Sequence, residues 1–160
     1  TTIALQLEKE LSKLGFLVQI LDGDNIRAGI NNNLSFSEAD RAENIRRISE
    51  VSKLFLNCGV ITINCFVSPT KKMRQNAKKI IGKENYYEIF INADLETCEK
   101  RDVKGLYKKA RSGEIKNFTG IDAEYEKPNN PSLEVDTSQI SLDQSIEIIL
   151  KNILPQIKKN

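Results

Sequence analysis

Apolar positions recur along this chain with two alternating periods. Ile3, Leu7, Leu11 and Leu14 repeat at helical spacing, so residues 2–14 read as an amphipathic helix, with Gly15 where a C-terminal cap belongs. The run Phe16–Leu21 then reads as a short strand ending in the polar turn Asp22-Gly23-Asp24-Asn25. Asn31–Asn33 mark a loop. Ser37 opens a long helix to about Asn57, with Asp40 as its capping-box partner and Gly59 closing it. A second strand, Val60–Val67, stops at Ser68-Pro69, and a basic helix runs to Ile81-Gly82. Tyr87–Ile91 is a third strand. Helical stretches follow at Leu95–Arg101 and Gly105–Ser112, then a loop over about 117–132 and a short strand, Leu133–Val135. The last helix starts at Ser141 with Gln144 as its capping partner.

Strands alternate with helices, and each strand is a nearly unbroken apolar run. That pattern predicts an α/β fold, a parallel sheet covered by helices on both faces in three α/β/α layers. No internal repeat or second domain is visible, and 160 residues suit one domain spanning 1–160. The first helix has no strand ahead of it, whereas an α/β domain of this type normally opens with one. The expectation is that the chain is cut just upstream of residue 1.

Composition narrows the chemistry. With 39% hydrophobic and 29% charged residues the chain can build a core. A formal net charge of +2 does not point to a nucleic-acid polymer or a membrane as partner. No apolar run of about 18 residues occurs, and no secretory signal is visible. Cys58, Cys65 and Cys98 have no metal-type spacing and are expected reduced and buried, as in a cytoplasmic protein. Histidine is absent, which removes Ser-His-Asp chemistry, Cys-His chemistry and histidine metal sites. Any general base is a carboxylate, Lys, Tyr or Cys.

Ligands of open parallel sheets bind beyond the carboxyl ends of the strands. Three polar clusters stand there: Asp22 to Arg27, Ser68-Pro69, and the segment after Ile91. Asp22 and Asp24 flank a glycine at a strand end. Such a pair can hold Mg²⁺ through water and orient an attacking hydroxyl; the alternative is an ordinary Asp/Gly turn. Arg27, Arg41 and Asn44 suit a phosphate or sulfate next to a sugar, against the alternative of a solvated helix face. Residues 100–116 carry seven basic residues against Asp102 and Glu114, a local charge of +5 that fits a lid over ATP phosphates or an RNA-binding patch. Phe36 and Phe118 sit in polar loops, as hydrophobic anchors or as a clamp on a purine ring. Thr1 precedes the first helix, where a P-loop places the hydroxyl residue that binds Mg²⁺.

Together these stretches resemble the adenylyl-sulfate kinase family. The runs that carry the resemblance are Asp22–Arg27, Phe36–Arg47, Phe66–Pro69, Arg101–Arg111 and Asn117–Asp122, and it covers essentially the whole chain. The family transfers the γ-phosphoryl group of ATP to the 3′-hydroxyl of adenosine 5′-phosphosulfate, with Mg²⁺, in sulfate activation. Its members are P-loop proteins, commonly homodimeric, and some are fused to or partnered by a sulfurylase.

The resemblance implies that Asp22 and Asp24 serve Mg²⁺ and the incoming hydroxyl. Arg27, Arg41, Asn44 and Lys104 would hold the substrate, and Phe36 and Phe118 would sandwich its adenine. Thr1, Arg101, Lys108, Lys109 and Arg111 would face ATP, with Thr1 and Asp22 at the metal and a lid over about 100–120. Ser68 matches a serine assigned in some members as a phosphorylated intermediate and is expected here chiefly as a substrate contact. Two other readings stay open: another small-molecule P-loop kinase, acting on a nucleoside monophosphate or a sugar acid, and a degenerate nucleotide-binding module. The family's glycine-rich loop and lysine do not occur before Thr1, Ser35 replaces a common glycine, and Asn64-Cys65 replace small apolar residues.

Overall fold

The computed structural model describes residues 1–157. In chain order the elements are α1 (Thr2–Lys13), β1 (Val18–Asp22), α2 (Gly23–Ala28), α3 (Glu38–Asn57), β2 (Ile61–Cys65), α4 (Lys71–Ile81), a 3₁₀ turn (Lys83–Asn85), β3 (Ile89–Asn92), α5 (Leu95–Arg101), α6 (Leu106–Arg111), β4 (Leu133–Asp136) and α7 (Leu142–Ile153).

Local chemistry sets the boundaries. α1 ends because Gly15 turns left-handed at φ +85°, letting Gly15 N–H reach the Ser12 carbonyl at 3.0 Å and Phe16 N–H the Leu11 carbonyl at 3.1 Å. α7 begins with a closed capping box: Ser141 Oγ accepts from Gln144 N–H at 3.2 Å, and Gln144 Oε1 accepts from Ser141 N–H at 2.9 Å. The box expected at α3 is only half made. Ser37 Oγ accepts from Asp40 N–H, but the Asp40 carboxylate turns back to the N–H and hydroxyl of Ser35.

The strands pair in parallel as two ladders. Val18 to Asp22 run opposite Ile61 to Cys65, and Ile89 to Asn92 opposite Leu133 to Asp136. Among the described residues no strand joins β2 to β3. Both ladders lie against one helical layer. Leu7 and Leu11 of α1 and Ile146, Ile149 and Ile153 of α7 pack with Val18, Ile63, Ile89, Leu133 and Val135. Neighbouring strand residues point to opposite faces. Ile63 faces that layer, so Asn64 faces the other, where its Oδ1 accepts from Ser52 Oγ of α3 at 3.0 Å. There Ile45 of α3 meets Met73 and Ala77 of α4, with Phe66 and Tyr86 against them. The α/β/α layering agrees with the reading from the sequence.

Two expectations are corrected. The first three strands are shorter than their apolar runs and mostly half-buried, while β4 runs one residue past its own, to Asp136; Leu17 and Val67 lie outside the strands and exposed. The cysteines are free, but Cys58 caps α3 at the surface and Cys65 and Cys98 are only half-buried.

Candidate functional site

Asp22 is both the last residue of β1 and the N-cap of α2. The expected polar turn is therefore the first turn of a short helix. Asp22 Oδ1 accepts from the N–H groups of Asp24 and Asn25 at 3.1 and 3.2 Å, and Oδ2 from Asn25 Nδ2 at 2.5 Å. Partial desolvation pushes the carboxyl up. The Asn25 and Asp24 donors and the charge of Lys104 outweigh it and hold Asp22 below its ordinary value, so it is ionised near neutrality. Gly23 is not in the left-handed region, and a Cβ there would meet the Phe66 ring at 3.8 Å, an ordinary contact.

Asp22 and Asp24 open onto a cleft of about 490 Å³, whose lining includes Thr1, Asn25, Lys104, Leu5 and Ile20. Four residues singled out in the sequence thus share one space: Thr1, Asp22, Asp24 and Lys104. Thr1 caps α1 through its carbonyl, which accepts from Leu5 N–H at 3.0 Å, while its side chain makes no capping bond. Lys104, from the segment between α5 and α6, is ion-paired with Asp24, 80 positions earlier, and that contact raises the ammonium's pKa.

A second cluster forms around Phe36. The Arg27 guanidinium lies 4.4 Å from the Phe36 ring centroid and donates to the carbonyls of Leu34 and Ser35 at 3.1 and 2.9 Å. Arg41 lies 5.6 Å from the same centroid. It donates to the Phe36 carbonyl at 2.9 Å, the Asn117 carbonyl at 2.8 Å and Thr119 Oγ1 at 3.3 Å. Arg41 therefore ties the Phe36 loop to the loop that carries Phe118. Burial and the neighbouring Arg41 charge depress Arg27, and the nearby Asp40 carboxylate only partly offsets them. Phe36 is exposed, while Phe118 packs edge-on against Tyr107 with centroids 5.0 Å apart. Asn44 shares a helix face with Arg41 but is buried, and its Oδ1 accepts from Asn31 Nδ2 at 2.9 Å.

Ser68 follows β2 with φ 44°, left-handed for a residue with a side chain and ahead of a proline that favours extended backbone. Its carbonyl accepts from Arg74 Nη1 at 2.6 Å. Arg74, 7% exposed, also donates to the Glu126 carbonyl at 2.5 Å and pairs with Glu88 at 3.3 Å. It joins three chain segments. Sequence reading missed it because α4 looks like a solvated basic face; the available signal was that position 74 sits beside the inward-facing Met73 and three before Ala77.

The basic segment is less free than its composition implied. Arg101 donates to Thr137 Oγ1 at 3.0 Å and the Thr137 carbonyl at 2.6 Å, beyond the end of β4. Lys109 pairs with Glu114 at 3.3 Å and Arg111 with Glu99 at 2.6 Å. Lys108 is exposed. These four are not in the lining of the aspartate cleft; of the segment's basic residues, Lys104 is. Among the described residues no group of three or more Cys, Asp or Glu could hold a metal by itself, and no helix is long and apolar enough to cross a membrane.

Comparison with known proteins identifies the family. A family model described as adenylylsulphate kinase matches residues 1–136. The adenylyl-sulfate kinase of Bacteroides thetaiotaomicron is 60% identical over 159 residues, covering 99% of this chain and 79% of that protein. That of Clostridium acetobutylicum is 51% identical over 151 residues, covering 94% and 75%. Among solved structures, the Mycobacterium tuberculosis APS kinase in complex with AMPPNP and APS superimposes with a TM-score of 0.92 at 40% identity, covering 96% of this chain and 89% of that one. The chain belongs to the adenylyl-sulfate kinase family and is a kinase.

Proposed function

We propose that the protein transfers the γ-phosphoryl group of ATP to the 3′-hydroxyl of adenosine 5′-phosphosulfate. The observation that carries this reading is Arg41: it joins the loop of Phe36 to the loop of Phe118 while Arg27 stacks on Phe36. Two guanidinium groups suited to the phosphosulfate lie over Phe36, and Arg41 also holds the loop of Phe118; the two aromatic residues suit its adenine. The solved relative was captured with both an ATP analogue and APS.

In the reaction the 3′-oxygen attacks the γ-phosphorus. The bond from that phosphorus to the β,γ-bridging oxygen breaks, and ADP leaves. The hydroxyl proton passes to a carboxylate of the aspartate pair or to water. Asp22 and Asp24 share two tasks, orienting the 3′-hydroxyl and facing the metal. Mg²⁺ fits the cleft: the Thr1 hydroxyl and an ionised Asp22 are hard oxygen donors, and water and phosphate complete the shell this ion prefers. Bound there it would offset charge on the β- and γ-phosphates. Lys104, now on Asp24, would exchange that carboxylate for a substrate oxygen. Arg101, Lys108, Lys109 and Arg111 belong to a lid over ATP that closes by trading its present partners for phosphate.

Transfer is direct, and Ser68 contacts substrate through its strained backbone position. Phosphoserine accumulating at Ser68 with ATP alone, seen by mass spectrometry, would overturn that step. The same reading carries a homodimer, which light scattering measures. An acceptor panel tests the function as a whole. Adenosine 5′-phosphosulfate is expected to be phosphorylated far faster than AMP or a sugar acid; comparable turnover of either would sink the assignment.

A further inference from the structure

Four side chains form a chain of hydrogen bonds behind Asn44. Glu43 Oε1 accepts from Arg47 Nε at 2.9 Å; Arg47 Nη1 donates to Asn31 Oδ1 at 3.2 Å and to Asn33 Oδ1 at 2.9 Å; Asn31 Nδ2 donates to Asn44 Oδ1 at 2.9 Å. Asn31 is 0% exposed and Asn44 is 4% exposed. The Asn31 main chain is held as well, its N–H donating to the Ile26 carbonyl at 2.9 Å.

A guanidinium can only donate. Whatever faces Arg47 must be an acceptor, so Asn31 turns its oxygen to Arg47 and its NH₂ to Asn44. Asn44 must then meet Asn31 with its own oxygen, which leaves the Asn44 NH₂ directed away from Asn31. From that polarity, we infer that Asn31 is a positioning residue: it makes Asn44 present a hydrogen-bond donor, not an acceptor, to the phosphosulfate nucleotide. This rests on the reading that Asn44 contacts the substrate. It extends that reading to a specificity device, because an anionic ligand offers only acceptors at its phosphate and sulfate oxygens. Glu43 anchors the far end, since the Arg46 and Arg47 contacts hold its carboxyl at about 2 and keep it charged.

Asn31→Asp tests the polarity while preserving shape. A carboxylate accepts from Arg47 as before but cannot donate to Asn44, so the Asn44 amide turns over and presents its oxygen to the ligand. The expected result is a KM for adenosine 5′-phosphosulfate raised on the order of tenfold to a hundredfold, the worth of a hydrogen bond to a charged group. The KM for ATP and the melting temperature should stay unchanged. If Asn31→Asp has a native melting temperature and a native KM while Asn44→Ala raises the KM, the relay is overturned and the Asn44 contact stands. If Asn44→Ala leaves the KM unchanged, the substrate reading of Asn44 fails and takes the relay with it. Should Asn31→Asp not fold, side-chain NMR of the unsubstituted protein decides. Saturation with adenosine 5′-phosphosulfate should shift the Asn44 NH₂ pair strongly; an unmoved Asn44 pair would refute the inference.

Discussion

Replacing Arg74 with lysine keeps the charge but removes the fork. The guanidinium serves three partners at once, the Ser68 carbonyl at 2.6 Å, the Glu126 carbonyl at 2.5 Å and Glu88 at 3.3 Å. A single ammonium cannot span them from one point. Losing charged hydrogen bonds at about 1.5–3 kcal/mol each, with partial recovery by the ammonium, predicts a net loss of about 2–4 kcal/mol. For a domain of this size each kcal/mol is worth about 2–4 °C, so melting should fall by about 4–16 °C.

Function should suffer separately. A non-glycine residue held left-handed stores about 1–3 kcal/mol, and here φ is 44°. Freed from Arg74, the Ser68 peptide relaxes toward extended backbone and the rim beyond β2 moves with it. A displacement of about 1 Å at a positioning group costs on the order of 100-fold in turnover. Thermal denaturation followed by circular dichroism, with turnover measured at 25 °C where the variant stays folded, separates the two effects. Ser68→Gly should stabilise the protein that keeps Arg74 more than it stabilises Arg74→Lys, because glycine takes positive φ without strain and that strain is held only while Arg74 is present. An Arg74→Lys protein that melts within about 1 °C of the original, with unchanged turnover, would show that the Ser68 conformation does not depend on Arg74.

Three further outcomes are expected. Asp22→Asn should lower turnover on the order of 100-fold or more while the fold survives, since asparagine also caps α2; near-normal turnover would remove Asp22 from the chemistry. Phe118→Ala should weaken adenosine 5′-phosphosulfate by roughly 5- to 150-fold, the worth of about 1–3 kcal/mol of base stacking, and ATP far less, as titration of each nucleotide would show. Glu43 is depressed from 4.5 to about 2, so its contribution to stability is complete above pH 4.5 and is lost as pH falls toward 2. Glu43→Gln should therefore flatten the fall of stability in that window; an unchanged acid slope would show that the Arg46 and Arg47 contacts add nothing.

Most of the fold was legible because its signals are local. The Ser141–Gln144 box and the glycine after α1 need only a few neighbouring residues to act, and both stand where the sequence indicated. The β2 run was overextended because apolar character continues past the last paired residue, as at Val67. The cleft was legible in part: the aspartate pair marks a strand end by chemistry alone, but its pairing with Lys104 spans 80 positions and leaves no local trace. Asn31 was read as a loop marker, since three consecutive asparagines look alike until packing buries one of them completely. Arg74 was hidden for a related reason: on a helix rich in lysine, burial and not residue type distinguishes it.

The central claim is the identity of the acceptor atom. Incubating the protein with Mg²⁺, ATP labelled in the γ-phosphoryl group and adenosine 5′-phosphosulfate, then locating the label by ³¹P NMR, tests it directly. The label should appear on the ribose 3′-oxygen of a product that retains its 5′-phosphosulfate, with ADP formed in equal amount. Label found at another position, or ADP formed with no labelled nucleotide product, would contradict the account.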